Sequence, residues 1–264
     1  MTQHDLFERL HLAVSAAREA GQITRRYFLQ GNYEIELKAD SSPVTVADRE
    51  AELHLRERIE GAFPSDGILG EEFPEKPGEG GFRWILDPID GTKTFVSGVP
   101  FYGTMIGVEY EEKSVIGVVE MPALDECIYA AVGEGAWWRL GDAQPRRAKV
   151  SNCDSLDDAV FLTTDVKAFA KLGRSSAYEK LQAATRMTRT WGDCYGYLLV
   201  ATARAEVMVD PLMNVWDAAA LQPIMEEAGG TFTDWRGEPT IHHEEGIATN
   251  SKLLDRVIAI TGGC

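Results

Sequence analysis

Apolar residues recur at Leu6, Leu10, Ala13, Ala17 and Ala20 with charged residues between them, the spacing of one helix face, and predict a helix over 5–30 that stops near Gly31-Asn32. A second helix is predicted over 46–61, entered from the turn Asp40-Ser-Ser-Pro-Val-Thr, with Leu53, Leu55 and Ile59 on its apolar face. The pattern then changes to short β-rich runs. Strands are expected at 67–71 and 83–87, separated by a Gly- and Pro-rich loop at 74–81. A hairpin follows at 103–110 and 114–121, turning at Glu111-Glu-Lys, and the meander continues at 127–132 and 136–139. Around 147–155 the chain turns polar. A soft boundary there divides it into an N-terminal half, 1–148, and a C-terminal half, 149–264.

The second half mixes its elements more closely. A strand at 159–163 precedes helical stretches at 166–184 and 193–204, a strand at 205–210 and a helix at 216–228. Strands at 230–234 and 246–249 and a helix at 251–259 complete it. Pro223 conflicts with an unbroken helix, because it removes a backbone donor and should bend or split the helix. Strands mixed with helices in this way predict layered α+β packing and not a parallel βαβ array.

Composition narrows the class. The 264 residues are 44% hydrophobic and 26% charged, which is ordinary for a soluble globular protein. No apolar run reaches membrane-spanning length, and Met1-Thr-Gln-His-Asp-Leu-Phe-Glu-Arg9 lacks the features of a secretory signal, so a cytoplasmic location is expected. Acidic residues outnumber basic ones 42 to 26, for a formal charge of −16, which argues against a nucleic-acid backbone as partner. The cysteines at 127, 153, 194 and 264 show no CxxC pair or zinc spacing and are expected to be reduced, with Cys194 a buried filler. His242-His243 reads as surface.

The chemistry concentrates in Trp84-Ile-Leu-Asp87-Pro-Ile-Asp90-Gly-Thr92. Asp87 and Asp90 lie three apart on a turn leaving an apolar strand. Carboxylates so close repel each other unless a cation lies between them. The N–H groups of Gly91 and Thr92 can face an anion. Asp-Pro and Asp-Gly also make plain surface turns, so this segment alone does not decide. Further acids stand at comparable places: Gly70-Glu71-Glu72 closes a strand, Lys38, Asp40, Thr45 and Asp48 cluster at a helix entry, and Trp216-Asp217 opens a later helix. The candidate ligands are all oxygen donors, which select Mg2+, Mn2+ or Ca2+ over zinc.

These segments resemble the inositol monophosphatase superfamily of Mg2+-dependent, lithium-sensitive phosphatases. Gly70-Glu71-Glu72, Asp87-Pro-Ile-Asp-Gly-Thr92, Trp216-Asp217-Ala-Ala-Ala and Glu227-Ala-Gly-Gly230 occur in the family's order and spacing, and Pro43-Val-Thr-Val-Ala-Asp48 also fits. The resemblance implies a layered α/β/α/β/α sandwich, commonly a homodimer, hydrolysing a phosphate monoester. It implies that Glu71, Asp87 and the Ile89 carbonyl ligate one Mg2+ and that Asp87, Asp90 and Asp217 ligate a second, with a third, weaker ion near Glu71. By the same resemblance Gly91 and Thr92 hold the phosphate. Thr92, oriented by Asp48, and Glu71 position the attacking water, and Lys38 meets the phosphate or the metal's hydration shell. Mn2+ is an alternative ion.

Specificity is expected from Thr190-Trp-Gly-Asp-Cys-Tyr-Gly-Tyr197 and Val209-Asp-Pro211. In the inositol enzymes the first segment is small and uncharged; here Asp193 lies between Trp191 and Tyr195, and Asp210 falls where the family places a substrate-binding acid. An acidic, aromatic-lined pocket suits a cationic leaving group. This segment and Gly-Gly-Thr-Phe-Thr-Asp234-Trp235 are similar to the superfamily's histidinol-phosphate phosphatases. They imply L-histidinol phosphate as substrate, in histidine biosynthesis, with its amine at Asp193 and its imidazole near Asp210. Asp193 as a helix cap, with Trp191 and Tyr195 in the core, is the structural alternative. A myo-inositol 1-phosphate or broad sugar-phosphate phosphatase and a non-catalytic binding protein on the same fold are the functional ones.

Overall fold

The structure, a computed structural model, describes residues 1–28, 30, 35–37 and 43–262. Helix α1 (Gln3–Tyr27) starts at a capping box, with the Asp5 N–H donating to Thr2 Oγ1 and the Thr2 N–H to Asp5 Oδ2. Strands β1 (Ile35–Leu37) and β2 (Pro43–Thr45) form a small antiparallel ribbon that leads into α2 (Val46–Ala62). The predicted stop at Gly31-Asn32 lies outside the described residues.

Seven strands make the first sheet: β3 (Gly67–Gly70), β4 (Phe82–Asp90), β5 (Gly103–Tyr110), β6 (Lys113–Met121), β7 (Glu126–Ala131), β8 (Gly135–Leu140) and β9 (Arg146–Arg147). They neighbour each other in chain order; β3 and β4 are parallel and the rest antiparallel. The second sheet has the order β11-β10-β12-β14-β13, built from β10 (Val160–Leu162), β11 (Met187–Arg189), β12 (Val207–Asp210), β13 (Thr231–Thr233) and β14 (Gly246–Thr249). Here β10 runs parallel to both of its neighbours.

Successive strand residues point to opposite faces, and this sorts the core. Trp84, Leu86, Ile106 and Val118 pack beneath α1 and α2, while Ile85, Met105 and Val119 face the other way. That second face is covered by α6 (Asp193–Ala201), α7 (Val215–Ala218) and α8 (Leu221–Glu227), which also meet Leu162, Met208 and Phe232 of the second sheet. The far side of the second sheet is covered by α4 (Val166–Lys171), α5 (Ser175–Ala184) and α9 (Leu254–Thr261) through Phe169, Leu181 and Val257. The result is the expected α/β/α/β/α sandwich. Each buried Leu, Ile or Phe contributes about 1.5–3 kcal/mol of transfer free energy, so the middle layer ties both sheets together.

Three local differences from the expected elements have clear causes. The helix expected at 216–228 splits into α7 and α8. Pro223 takes the third position of α8, where no intrahelical donor is needed. The Ala219 carbonyl, which an N–H at 223 would have used, accepts from Ser114 Oγ at 2.6 Å. The stretch 166–184 breaks at Gly173, whose φ is 72°. Leu53 is 48% exposed, and the inward face of α2 carries Ala51, Leu55 and Ile59 together with the buried acids Asp48 and Glu52.

Candidate active site

The site is assembled at the ends of parallel strands. Glu71 follows β3 and Asp87 lies near the end of β4, its parallel neighbour, with the Glu71 N–H extending the ladder to the Leu86 carbonyl at 3.2 Å. Pro88 has no N–H to give, and the pairing of β4 with β5 shifts between Asp87 and Asp90. That irregularity turns both carboxylates toward the same end of the sheet. Asp217 comes from the other half of the chain, on α7, and its Oδ2 accepts from the Asn214 backbone N–H at 2.7 Å. Carboxylate oxygens of Asp87, Asp90 and Asp217 lie within 4.8 Å of one another.

The electrostatics are those of a cation site. Asp87, 2% exposed, is pushed well above the usual carboxylate range by burial, then by the charges of Glu71, Asp90 and Asp217. Asp90 is raised well above it by burial, then by Asp193 and Asp217. Burial and Glu71 raise Asp217 to about 7. Asp87 Oδ1 is buried without a hydrogen-bond partner. A buried carboxylate oxygen without a hydrogen-bond partner, set beside two further carboxylates, fits a hard divalent cation. Asp87, Asp90, Asp217, Glu71 and the Ile89 carbonyl are the donors that would surround it.

A carboxylate whose folded pKa is raised stabilises the fold below its unfolded pKa and loses that contribution as pH rises through the folded value. Without metal, the melting temperature is therefore expected to fall between about pH 4 and pH 7 from this cluster. Mg2+ should flatten the decline, and so should Asp217→Asn. Scanning calorimetry with and without EDTA checks this; identical pH profiles in both conditions would rule out cation binding at the cluster.

Gly91 joins β4 to α3 (Thr92–Val96) with φ 82°, a conformation that favours glycine. A Cβ there would also lie 2.9 Å from Asp193 Oδ2. The Thr92 hydroxyl donates to the Ile89 carbonyl at 3.1 Å. Asp48 is buried at the start of α2, where its Oδ2 accepts from both the N–H and the hydroxyl of Thr45. Asp48 Oδ1 has no partner, and burial followed by Glu72 and Glu71 raises this carboxyl to about 7. Lys38 and Asp40 lie outside the described residues.

A cleft of about 850 Å3 opens over the acids. Val99 and Phe101 line one wall, and Thr164, Lys167 and Asp193 another. Asp193 begins α6 with φ 50°, donates its N–H to Thr164 Oγ1 at 2.9 Å and accepts from Thr94 Oγ1 at 3.1 Å. Burial, then Asp210, raises its carboxyl to about 6. The N-cap of α6 is Gly192, so the Asp193 carboxylate is not its cap. The next N–H, that of Cys194, donates to Asp90 Oδ2, so consecutive residues serve the cleft wall and the acid cluster.

Asp210 lies behind the wall, adjoining a small cavity of about 70 Å3. Its carboxylate already accepts from the Thr163 and Thr164 hydroxyls, the Thr164 N–H and the Tyr197 hydroxyl, at 2.8–3.2 Å. An imidazole would have to displace these donors. The aromatic wall is Phe101, stacked at 4.8 Å on half-buried Tyr195; Trp191 is 37% exposed and does not line the cleft. Thr94, Phe101 and Thr164 were absent from the sequence reading. Only Thr94, two residues beyond Thr92, carried a local signal. His242 and His243 are exposed as expected, and His242 Nε2 lies 3.1 Å from Glu109 and His243 Nδ1 2.8 Å from Asp234, both buried acids. Cys194 is buried, and Cys127, Cys153 and Cys194 are free thiols. No described helix is long and apolar enough to cross a membrane.

Comparison with known proteins agrees with this geometry. Residues 5–262 match the profile of the inositol monophosphatase family. A histidinol-phosphatase of Chlorobaculum parvum is 41% identical, the match covering 96% of each chain. One from Mycobacterium tuberculosis is 36% identical, over 94% of this chain and 96% of the relative. The solved structure of an inositol monophosphatase from Zymomonas mobilis superposes with a TM-score of 0.85 at 31% identity, over 99% of this chain and 100% of that one.

Proposed function

The chain belongs to the inositol monophosphatase family, and on that premise we propose that it is a Mg2+-dependent phosphatase whose substrate is L-histidinol phosphate, acting in the cytoplasm as a homodimer in histidine biosynthesis. The observation that carries the phosphatase reading is the convergence of Asp87, Asp90 and Asp217, with a buried, partnerless oxygen on Asp87. Two or three Mg2+ ions, or Mn2+ in their place, would be held by these acids with Glu71 and the Ile89 carbonyl. A bound divalent cation supplies an acidified water, neutralises the phosphoryl oxygens and stabilises the leaving alkoxide.

The chain's own groups do the positioning, which phosphoryl transfer needs more than covalent catalysis. Gly91 and Thr92 present their N–H groups to the phosphate at the start of α3. Glu71 and the Thr92 hydroxyl orient the attacking water, and Asp48, whose Oδ1 is buried and unpartnered, is assigned to orient Thr92. Asp193 offers a carboxylate on the cleft wall to the substrate's ammonium, and Phe101 offers a flat apolar face to its imidazole. Asp210 acts through Thr164 and Tyr197 and is not assigned a direct substrate contact. The histidinol-phosphatase names of the two relatives support this substrate.

The likeness to an inositol monophosphatase of known structure favours a second reading, hydrolysis of myo-inositol 1-phosphate or of sugar phosphates broadly. Phosphate release from histidinol phosphate and inositol 1-phosphate, measured side by side with Mg2+ and with EDTA, separates the two. We expect EDTA to stop both reactions, Li+ to inhibit, and kcat/KM to favour histidinol phosphate. Equal or reversed preference would move the enzyme to the inositol class, and turnover in EDTA would remove the metal mechanism.

A further inference from the structure

Glu52 belongs to none of the segments that carry the family likeness, yet it is fully buried on α2 behind the active site. Its carboxylate touches the chain on both sides of Glu71. On one side it lies against Gly70, where a Cβ would stand 2.0 Å from Glu52 Oε1 and 2.7 Å from Oε2. On the other, Glu52 Oε2 accepts the Glu72 N–H at 2.7 Å. Arg56, one turn along α2, pairs with Glu52 Oε1 at 2.8 Å and donates to the Phe73 carbonyl at 3.0 Å. Residues 72 and 73 are thus hydrogen-bonded to a largely buried ion pair and Gly70 is packed against it, while Glu71 lines the cleft.

We propose that Glu52 is a positioning residue that, backed by Arg56, fixes the backbone around Glu71 and so sets the active site's affinity for its divalent cation. The physical reason is that a side chain leaving the end of a strand is only as well placed as its backbone. Groups behind a metal's own ligands typically change affinity or activity about 10–100-fold when altered. Gly70 is the reciprocal half of the device: only a residue without Cβ lets a carboxylate approach its Cα so closely. The inference rests on the metal-dependent phosphatase reading.

The test uses the full chain and two variants that disturb the clamp from opposite sides, Glu52→Gln and Gly70→Ala. Gln is isosteric but loses the charge that holds Arg56. Hydrogen exchange of the metal-free protein is expected to quicken in peptides covering 70–74 in both variants and to stay unchanged in β6. Calorimetric titration with Mn2+ should show at least about tenfold weaker binding, and kcat should fall while KM for the phosphate ester changes less than about threefold. Arg56→Lys should recover most of the binding that Arg56→Met loses. Parent-like Mn2+ affinity and 70–74 exchange in both folded variants, whatever their melting temperatures, would overturn the proposal. If a variant does not fold, the other and the Arg56 pair decide. Failure of the parent itself to bind Mn2+ would instead overturn the metal reading on which the inference rests.

Discussion

Asp90→Asn is expected to reduce phosphate release by at least about 10^3-fold, or about 4 kcal/mol at 1.36 kcal/mol per decade, while the protein stays folded. Asp90 is one of three carboxylates within 4.8 Å of one another, and burial makes its charge costly without a cation. Asn keeps an oxygen to accept the Cys194 N–H, so the start of α6 is retained. It removes the charge that Asp193 and Asp217 repel. The metal-free variant should therefore melt at or slightly above the parent temperature, by about 2 °C for each half to one kcal/mol recovered. Turnover comparable with the parent's would sink the assignment of the cluster as the metal centre. Lost turnover with a collapsed melting temperature would show a structural role instead.

The second large effect separates substrates. In Asp193→Asn we expect kcat/KM for histidinol phosphate to drop about 10^2-fold, because removing one member of a desolvated charge pair costs about 2–5 kcal/mol. The value for inositol 1-phosphate should stay within a factor of about three, the behaviour of a site that has lost a charge contact but kept its shape. Asn suits this test because it tolerates the left-handed backbone found at 193 and can still accept from Thr94. If both substrates lose activity in parallel, Asp193 acts by ordering α6 and Asp90, and its role as a cation reader is wrong.

The acid cluster was legible in sequence because its members sit in tight local contexts: Asp87 and Asp90 share one turn, Glu71 closes a strand, and Asp217 opens a helix. The hairpin around Glu111 and Glu112 was equally legible, since β-branched runs flank a charged turn. The surroundings of Asp210 were not legible for a corresponding reason. Its environment is set by Thr163 and Thr164, nearly fifty positions away, brought beside it only by the parallel pairing of β10 with β12. Short elements such as β11 and α3 span too few residues to show a period. Leu53 read as core because helical spacing admits it, but the face it would occupy is not the one pressed on the sheet. The buried inward acids Asp48 and Glu52 take positions that a hydrophobic pattern counts as solvent.

Asp217 reaches a cluster otherwise made by residues 71–90, and it does so from an α7 that lies on the first sheet. During synthesis the chain must therefore travel well beyond its midpoint before the last of these carboxylates arrives. An emerging first half carries Glu71, Asp87 and Asp90 without the partner that closes the set. An ion that needs Asp217 among its donors would thus be held only by a chain in which α7 has already packed against β4 and β5 of the first sheet.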